Sequence, residues 1–247
     1  MSAPPEVDRS ADAVPALQLF GLRAGYGRIE VLHGIDLSVP AGSVVALMGP
    51  NGAGKTTLLN VAAGLVPARS GCVHVAGIHV NNLAPEVLAR AGVCSVPEGR
   101  GVFPNLTVRE NLRVFTHGAG ATLDQVEQRS YSIFPRLGER RNQLAGTLSG
   151  GERQMLAMAR ALVSQPVLLL LDEISMGLAP IVVSQMYEKV AELAAGGMAI
   201  LLVEQFAAAA LRVADYAAVI RQGQVERRGT PAQVADSLSE AYLGVMG

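Results

Sequence analysis

The apolar positions of this chain follow two rhythms. Three runs, Val44–Met48, Val167–Leu171 and Met198–Val203, are apolar without a polar face, so each predicts a strand buried on both sides. A fourth buried strand is expected at Val93–Val96. Between such runs apolar residues recur at helical spacing, from Met155 through Leu156, Ala159 and Leu162, and again over 181–195. Near the N-terminus the rhythm drops to two. Leu17–Phe20, Val31–Val39, Cys72–Val75 and Ile78–Val80 read as antiparallel strands, the last two joined at Gly77. The stretch from about 104 to 148 has no strand signal. It opens helices at two capping boxes, Thr107-Val108-Arg109-Glu110 and Thr122-Leu123-Asp124-Gln125. Together these predict an α/β core with a helical subdomain inserted into it. Two strand-like runs, 217–220 and 224–226, and a helix capped at Thr230 close the pattern.

Composition narrows the classes. The chain of 247 residues is 50% hydrophobic, yet no apolar run approaches the ~20 residues that span a bilayer. The N-terminus lacks a signal-peptide layout, and residues 1–15 are small, polar and proline-bearing, which predicts a disordered tail. A cytosolic chain is expected, held at a membrane only through a partner. With 20 basic and 21 acidic residues and 4% aromatics, neither charge nor stacking surface points to nucleic acid. Cys72 and Cys94 have no metal-ligand spacing, and His74 and His79 read as ordinary strand residues.

The first chemical signal follows the strand Val44–Met48. Gly49-Pro50-Asn51-Gly52-Ala53-Gly54-Lys55-Thr56 leads into a helix at Thr57, so strand, G-x-x-x-x-G-K-[ST] and helix stand in the order a phosphate-binding loop needs. Glycines let successive backbone N–H groups converge on a phosphate, and the helix N-terminus adds its positive dipole end. Lys55 supplies a point charge for the β- and γ-phosphates of ATP, and the Thr56 hydroxyl a ligand for Mg²⁺.

Downstream, the leucine strand delivers Asp172 and Glu173. In a nucleotide site Asp172 would hold Mg²⁺ and Glu173 would orient and deprotonate the attacking water. Ser149-Gly150-Gly151 at a helix start offers a hydroxyl, flexible amides and a dipole, a second anion cradle in a chain with one P-loop. That pairing points to the γ-phosphate of another subunit's ATP. Tyr26, between Gly25 and Gly27, is either a hairpin tip or a ring that stacks on adenine.

Tyr26, Gly49–Thr56, Leu148-Ser149-Gly150-Gly151-Glu152-Arg153-Gln154 and Leu168–Glu173 together resemble the nucleotide-binding subunit of ABC transporters, over residues from about 16 to 243. The resemblance implies a P-loop NTPase with a RecA-like core, an antiparallel β subdomain and a helical subdomain at about 86–150. It implies that Tyr26 stacks on adenine, and that two cassettes sandwich two ATP molecules, each site completed by the partner's signature segment. Membrane permease subunits and a second ATPase subunit, identical or different, are the implied partners, with a solute-binding protein acting indirectly. Val96-Pro97-Glu98-Gly99-Arg100, Phe134-Pro135-Arg136-Leu137, Gly177-Leu178-Ala179-Pro180 and Leu202-Val203-Glu204-Gln205 look like the branched-chain amino acid uptake (LivF-like) class. Urea and short-amide importers have similar ATPases.

Departures from the general family pattern bear on chemistry. Glu98 stands where glutamine is usual, adding a carboxylate near Asp172 and Glu173 and a further candidate for the metal. Gln205 stands where histidine is usual; it donates an amide hydrogen bond but cannot become cationic. Ile174 replaces a proline, which predicts a looser turn after Glu173.

Overall fold

The computed structural model describes residues 14–99, 101–116, 120–205 and 207–236. The tail expected over 1–15 lies outside them, apart from Val14 and Pro15. Two sheets organise the described chain. β1 (Leu17–Tyr26), β2 (Ile29–Val39), β4 (Ala68–Val75) and β5 (Ile78–His79) form an antiparallel sheet in the order β2-β1-β4-β5. β3 (Val44–Met48), β6 (Val93–Val96), β7 (Leu168–Asp172), β8 (Ala199–Glu204), β9 (Tyr216–Arg221) and β10 (Gln224–Gly229) form the second, in the order β10-β9-β3-β8-β7-β6. β9, β3, β8, β7 and β6 run parallel, and β10 pairs antiparallel with β9. His74 and His79 face each other across β4 and β5, ring centroids 5.2 Å apart, as strand residues.

Alternation along the parallel strands divides the interior into two cores. Val45 and Leu47 of β3, Leu168 and Leu170 of β7 and Leu201 and Val203 of β8 face one core, shared with the antiparallel sheet and helix α1 (Lys55–Ala62). Val44, Ala46 and Met48, Leu169 and Leu171, and Ile200 and Leu202 face the other, which the remaining helices cover, except Pro85–Arg90, whose Leu88 packs in the first core. Because side chains alternate with period two, the strand ends inherit these faces. Asp172 continues the Leu168–Leu170 side, towards α1; Glu204 continues the Ile200–Leu202 side, away from it.

Further helices are α2 (Pro85–Arg90), α3 (Val108–Arg113), α4 (Leu123–Ile133), α5 (Pro135–Glu139), α6 (Gly150–Leu162), α7 (Pro180–Ala195) and α8 (Ala207–Leu211). Both capping boxes form as read, each closing a first turn with a reciprocal pair of hydrogen bonds. A bridge between Thr107 and Leu144 ties the ends of the helical segment together. The range of about 86–150 expected for that segment is too wide at its start. It takes in β6, whose Val93–Val96 pair with Leu168–Leu171 in the core sheet, so the helical segment begins after β6.

Candidate functional site

The C-terminal ends of β3, β6, β7 and β8 converge on one cleft, as ligand sites of open α/β sheets do. Its volume is about 470 Å³, and its lining includes Asn51, Gly52, Gly54, Lys55, Thr56, Thr57, Glu98, Glu173 and Gln205. Nine residues singled out from sequence therefore meet in one place. Val31 and Met176, which sequence reading missed, also line it.

The loop after β3 is shaped by its backbone. Gly54, the N-cap of α1, has φ of 106°, a region that L side chains rarely adopt. Ala53 is buried and its N–H donates to the Pro50 carbonyl (3.2 Å). Thr57 is buried on α1, while Thr56 beside it is exposed to the cleft. Lys55 is only 4% exposed. Its ammonium donates to the carbonyls of Gly49 (2.9 Å) and Pro50 (3.3 Å) and pairs with Glu173 Oε1 at 3.2 Å. The charge read as a phosphate ligand is thus held inside its own loop by the carboxylate read as the base.

Asp172 lies beneath, 6% exposed, hydrogen-bonded to Thr56 as the strand alternation requires. Burial pushes its carboxyl above the ordinary carboxylate range. The Thr56 hydrogen bond opposes that rise, the charges of Glu173 and Glu98 reinforce it, and Lys55 again opposes it. Asp172 Oδ1 is buried with no hydrogen-bond partner among the described residues. An orphaned carboxylate oxygen beside a threonine hydroxyl fits a hard divalent cation. No set of three or more His, Cys, Asp or Glu among the described residues is placed to hold a metal unaided. A cation here would complete its shell with water or ligand oxygens, as Mg²⁺ commonly does. Glu98 and Gln205 are exposed on the cleft wall, and Arg100 lies outside the described residues.

Glu173 adopts φ of 46° at the turn after β7. The looser turn expected from Ile174 is absent. Ile174 is 2% exposed in the helix-side core, and the amides on both sides of it are bonded to β8. Glu204 supplies one of those bonds and is 1% exposed. Sequence reading named it only within the Leu202–Gln205 segment and gave it no role of its own. The available signal was an acid closing an apolar strand, as Asp172 does on β7.

Of the residues predicted for the site, Gly49, Pro50, Ala53 and Asp172 are not in the lining, and neither are Tyr26 and the Ser149–Gly151 segment. Tyr26 ends β1, 50% exposed, and its hydroxyl accepts from Asn60 Nδ2 at 3.3 Å. Ser149, Gly150 and Gly151 sit at the start of α6. Ser149 caps the helix in a box with Glu152, and both Ser149 and Gly150 are exposed. A Cβ on Gly151 would come within 2.6 Å of Val182 Cγ1, so close packing of α6 on α7 demands glycine there. Sequence reading also missed Arg160 on α6. It is sandwiched between the rings of Phe103 (4.6 Å) and Phe115 (4.4 Å) and donates to the Gly101 carbonyl; burial pushes its pKa down to about 10.

A P-loop on a parallel sheet, an acid pair two strands away and a capped glycine-serine helix start define a nucleotide-hydrolysing cassette. Residues 32–175 match the ABC transporter family model, and the chain belongs to that family as an ATPase subunit. Among curated relatives it is 44% identical to the high-affinity branched-chain amino acid transport ATP-binding protein BraG of Pseudomonas aeruginosa, covering 89% of this chain and 95% of that protein. It is 38% identical to a probable branched-chain amino acid transport ATP-binding protein, LivF, of Archaeoglobus fulgidus, covering 87% and 92%. A crystal structure of a nucleotide-free ATP-binding cassette from an ABC transporter superposes with a TM-score of 0.83 at 26% identity, covering 91% of this chain and 95% of that one. No helix among the described residues is long and apolar enough to cross a membrane.

Proposed function

We propose that this chain is the ATP-hydrolysing motor of an importer for branched-chain amino acids, acting at the cytoplasmic face of the membrane. Likeness to BraG over nearly its whole length is the observation that carries the substrate class. The partners in this reading are permease subunits, a second ATPase subunit and, indirectly, a solute-binding protein.

The cleft residues take the following roles. The loop amides from Gly49 to Thr57 and the Lys55 ammonium bind the phosphates, with Lys55 exchanging the Glu173 carboxylate for phosphate oxygens. Thr56 and Asp172 would hold Mg²⁺, with Glu98 beside them; the ion would supply positive charge to the phosphates. Glu173, released from Lys55, accepts the proton of the attacking water. Gln205 donates an amide hydrogen bond to the γ-phosphate, Tyr26 stacks on adenine, and Ser149, Gly150 and Gly151 serve the partner subunit's ATP. Exposure of Ser149 outside its own cleft supports the last role.

The test is ATP hydrolysis by the complex assembled from this chain, its permease and its partner ATPase. The assay adds solute-binding protein loaded with leucine, isoleucine or valine, or with urea or a short amide. Stimulation by the branched-chain ligands alone is expected. Stimulation only by urea or amides would overturn the substrate class.

A further inference from the structure

The turn that carries Glu173 is costly to hold. A non-glycine residue at φ of 46° is strained and persists only where its surroundings fix it. No proline ring follows to set the chain direction. The fixing comes from two consecutive residues of β8. The Glu173 N–H donates to the Val203 carbonyl at 2.9 Å. The Ser175 N–H donates to Glu204 Oε1 at 3.2 Å, and the Ser175 hydroxyl to Glu204 Oε2 at 2.9 Å. The Tyr187 hydroxyl of α7 donates to Glu204 Oε1 at 2.7 Å, so the carboxylate is clamped from the far side as well. A carboxylate this buried carries a desolvation penalty that an apolar side chain in the same place would not. Packing alone gives no reason for it. Its position does: Gln205, the next residue, lines the cleft that Glu173 also lines.

We infer that Glu204 is a positioning residue for ATP hydrolysis, tying the turn that carries Glu173 to the strand end that carries Gln205. The inference rests on the base role proposed for Glu173. Glu204 is buried and does not itself line the cleft. It fixes where Glu173 points once the carboxylate has left Lys55, and it keeps Gln205 in register with it.

The experiment is a double-mutant cycle in the assembled complex, read by single-turnover hydrolysis with protein in excess and by equilibrium ATP binding. Glu204→Leu is expected to lower the hydrolysis rate constant by roughly ten- to a hundredfold, the scale of a misplaced reacting group. ATP affinity should stay within a few-fold of the unmodified complex, because the P-loop contacts are untouched. Glu204→Gln, which keeps an acceptor for Ser175, should restore most of the rate. In a Glu173→Gln background, Glu204→Leu should cause a much smaller further loss, since only Gln205 is left for it to position. Ser175→Ala, a milder change at a partly exposed turn, should give a smaller loss of the same kind and serves if Glu204→Leu fails to fold. An unchanged rate in both Glu204→Leu and Ser175→Ala overturns the inference. So does an equal loss in both Glu173 backgrounds, or a loss confined to ATP affinity. Near-normal turnover by Glu173→Gln alone overturns the role of Glu173 and the inference with it.

Discussion

Glu173→Gln should do two opposite things to this protein. The carboxylate is 3.2 Å from Lys55, with side-chain exposures of 12% and 4%, so the pair is largely shielded from water. A hydrogen bond to a charged group in such a place contributes about 1.5–3 kcal/mol. Removing its charge leaves the ammonium with the carbonyls of Gly49 and Pro50. The nucleotide-free protein should therefore lose about 1–3 kcal/mol of stability. ATP, which no longer competes with Glu173 for Lys55, should bind tighter by part of that amount, roughly three- to thirtyfold. Hydrolysis should fall ~10²–10⁴-fold with loss of the general base. Thermal unfolding with and without ATP, isothermal titration and single-turnover hydrolysis measure the three quantities. The expected signature is a lower melting temperature without nucleotide, a larger rise on adding ATP, and a nearly silent active site. Weaker ATP binding would refute the competition between Glu173 and phosphate for Lys55, and unchanged turnover would remove Glu173 from the chemistry.

Tyr26→Ala should weaken ATP binding by roughly 1–3 kcal/mol and Tyr26→Phe should be tolerated, by titration; unchanged affinity in the alanine variant returns Tyr26 to a hairpin tip. Gly151→Ala, which drives a methyl group to 2.6 Å from Val182, should shift the start of α6 and lower the ATPase of the assembled pair more than ATP binding by the single chain. Burial raises the Glu204 carboxyl above its ordinary value, so between the two values the folded chain binds more protons than the unfolded one. Stability from this group is then present at acid pH and declines as pH rises above 4.5. Glu204→Gln should accordingly raise the melting temperature at pH 7, and the gain should shrink as pH falls towards 4.5. The isolated chain should hydrolyse ATP slowly and speed up when the partner ATPase and permease are added; equal rates would mean a self-sufficient homodimer.

Much of this site was legible because its signals are local. The P-loop needs glycine where φ is 106° at Gly54, and an apolar strand that ends in Asp172-Glu173 announces its own chemistry. Capping boxes at Thr107 and Thr122 are four-residue patterns with reciprocal bonds, so they survive into the fold unchanged, whereas the box that Ser149 forms with Glu152 went unread. What escaped depends on pairing between distant segments. The link from Ser175 and Tyr187 to Glu204 requires β7 and β8 to be neighbours and α7 to cover one face, facts no local window holds. The Ile174 turn was misjudged for the same reason: its restraint comes from β8 rather than from its own backbone. The strand β6 was placed inside the helical range because adjacency in sequence is not adjacency in the sheet.

In the proposed function, hydrolysis at this cleft drives uptake of a branched-chain amino acid. It is tested most directly by ATP-dependent accumulation of radiolabelled leucine in proteoliposomes, using the complete transporter with this chain unmodified or carrying Glu173→Gln. Accumulation is expected with the unmodified chain and none above the ATP-free background with Glu173→Gln, although that variant still binds ATP. Equal accumulation by the two, or no leucine uptake by the unmodified complex while its ATPase is active, would contradict it.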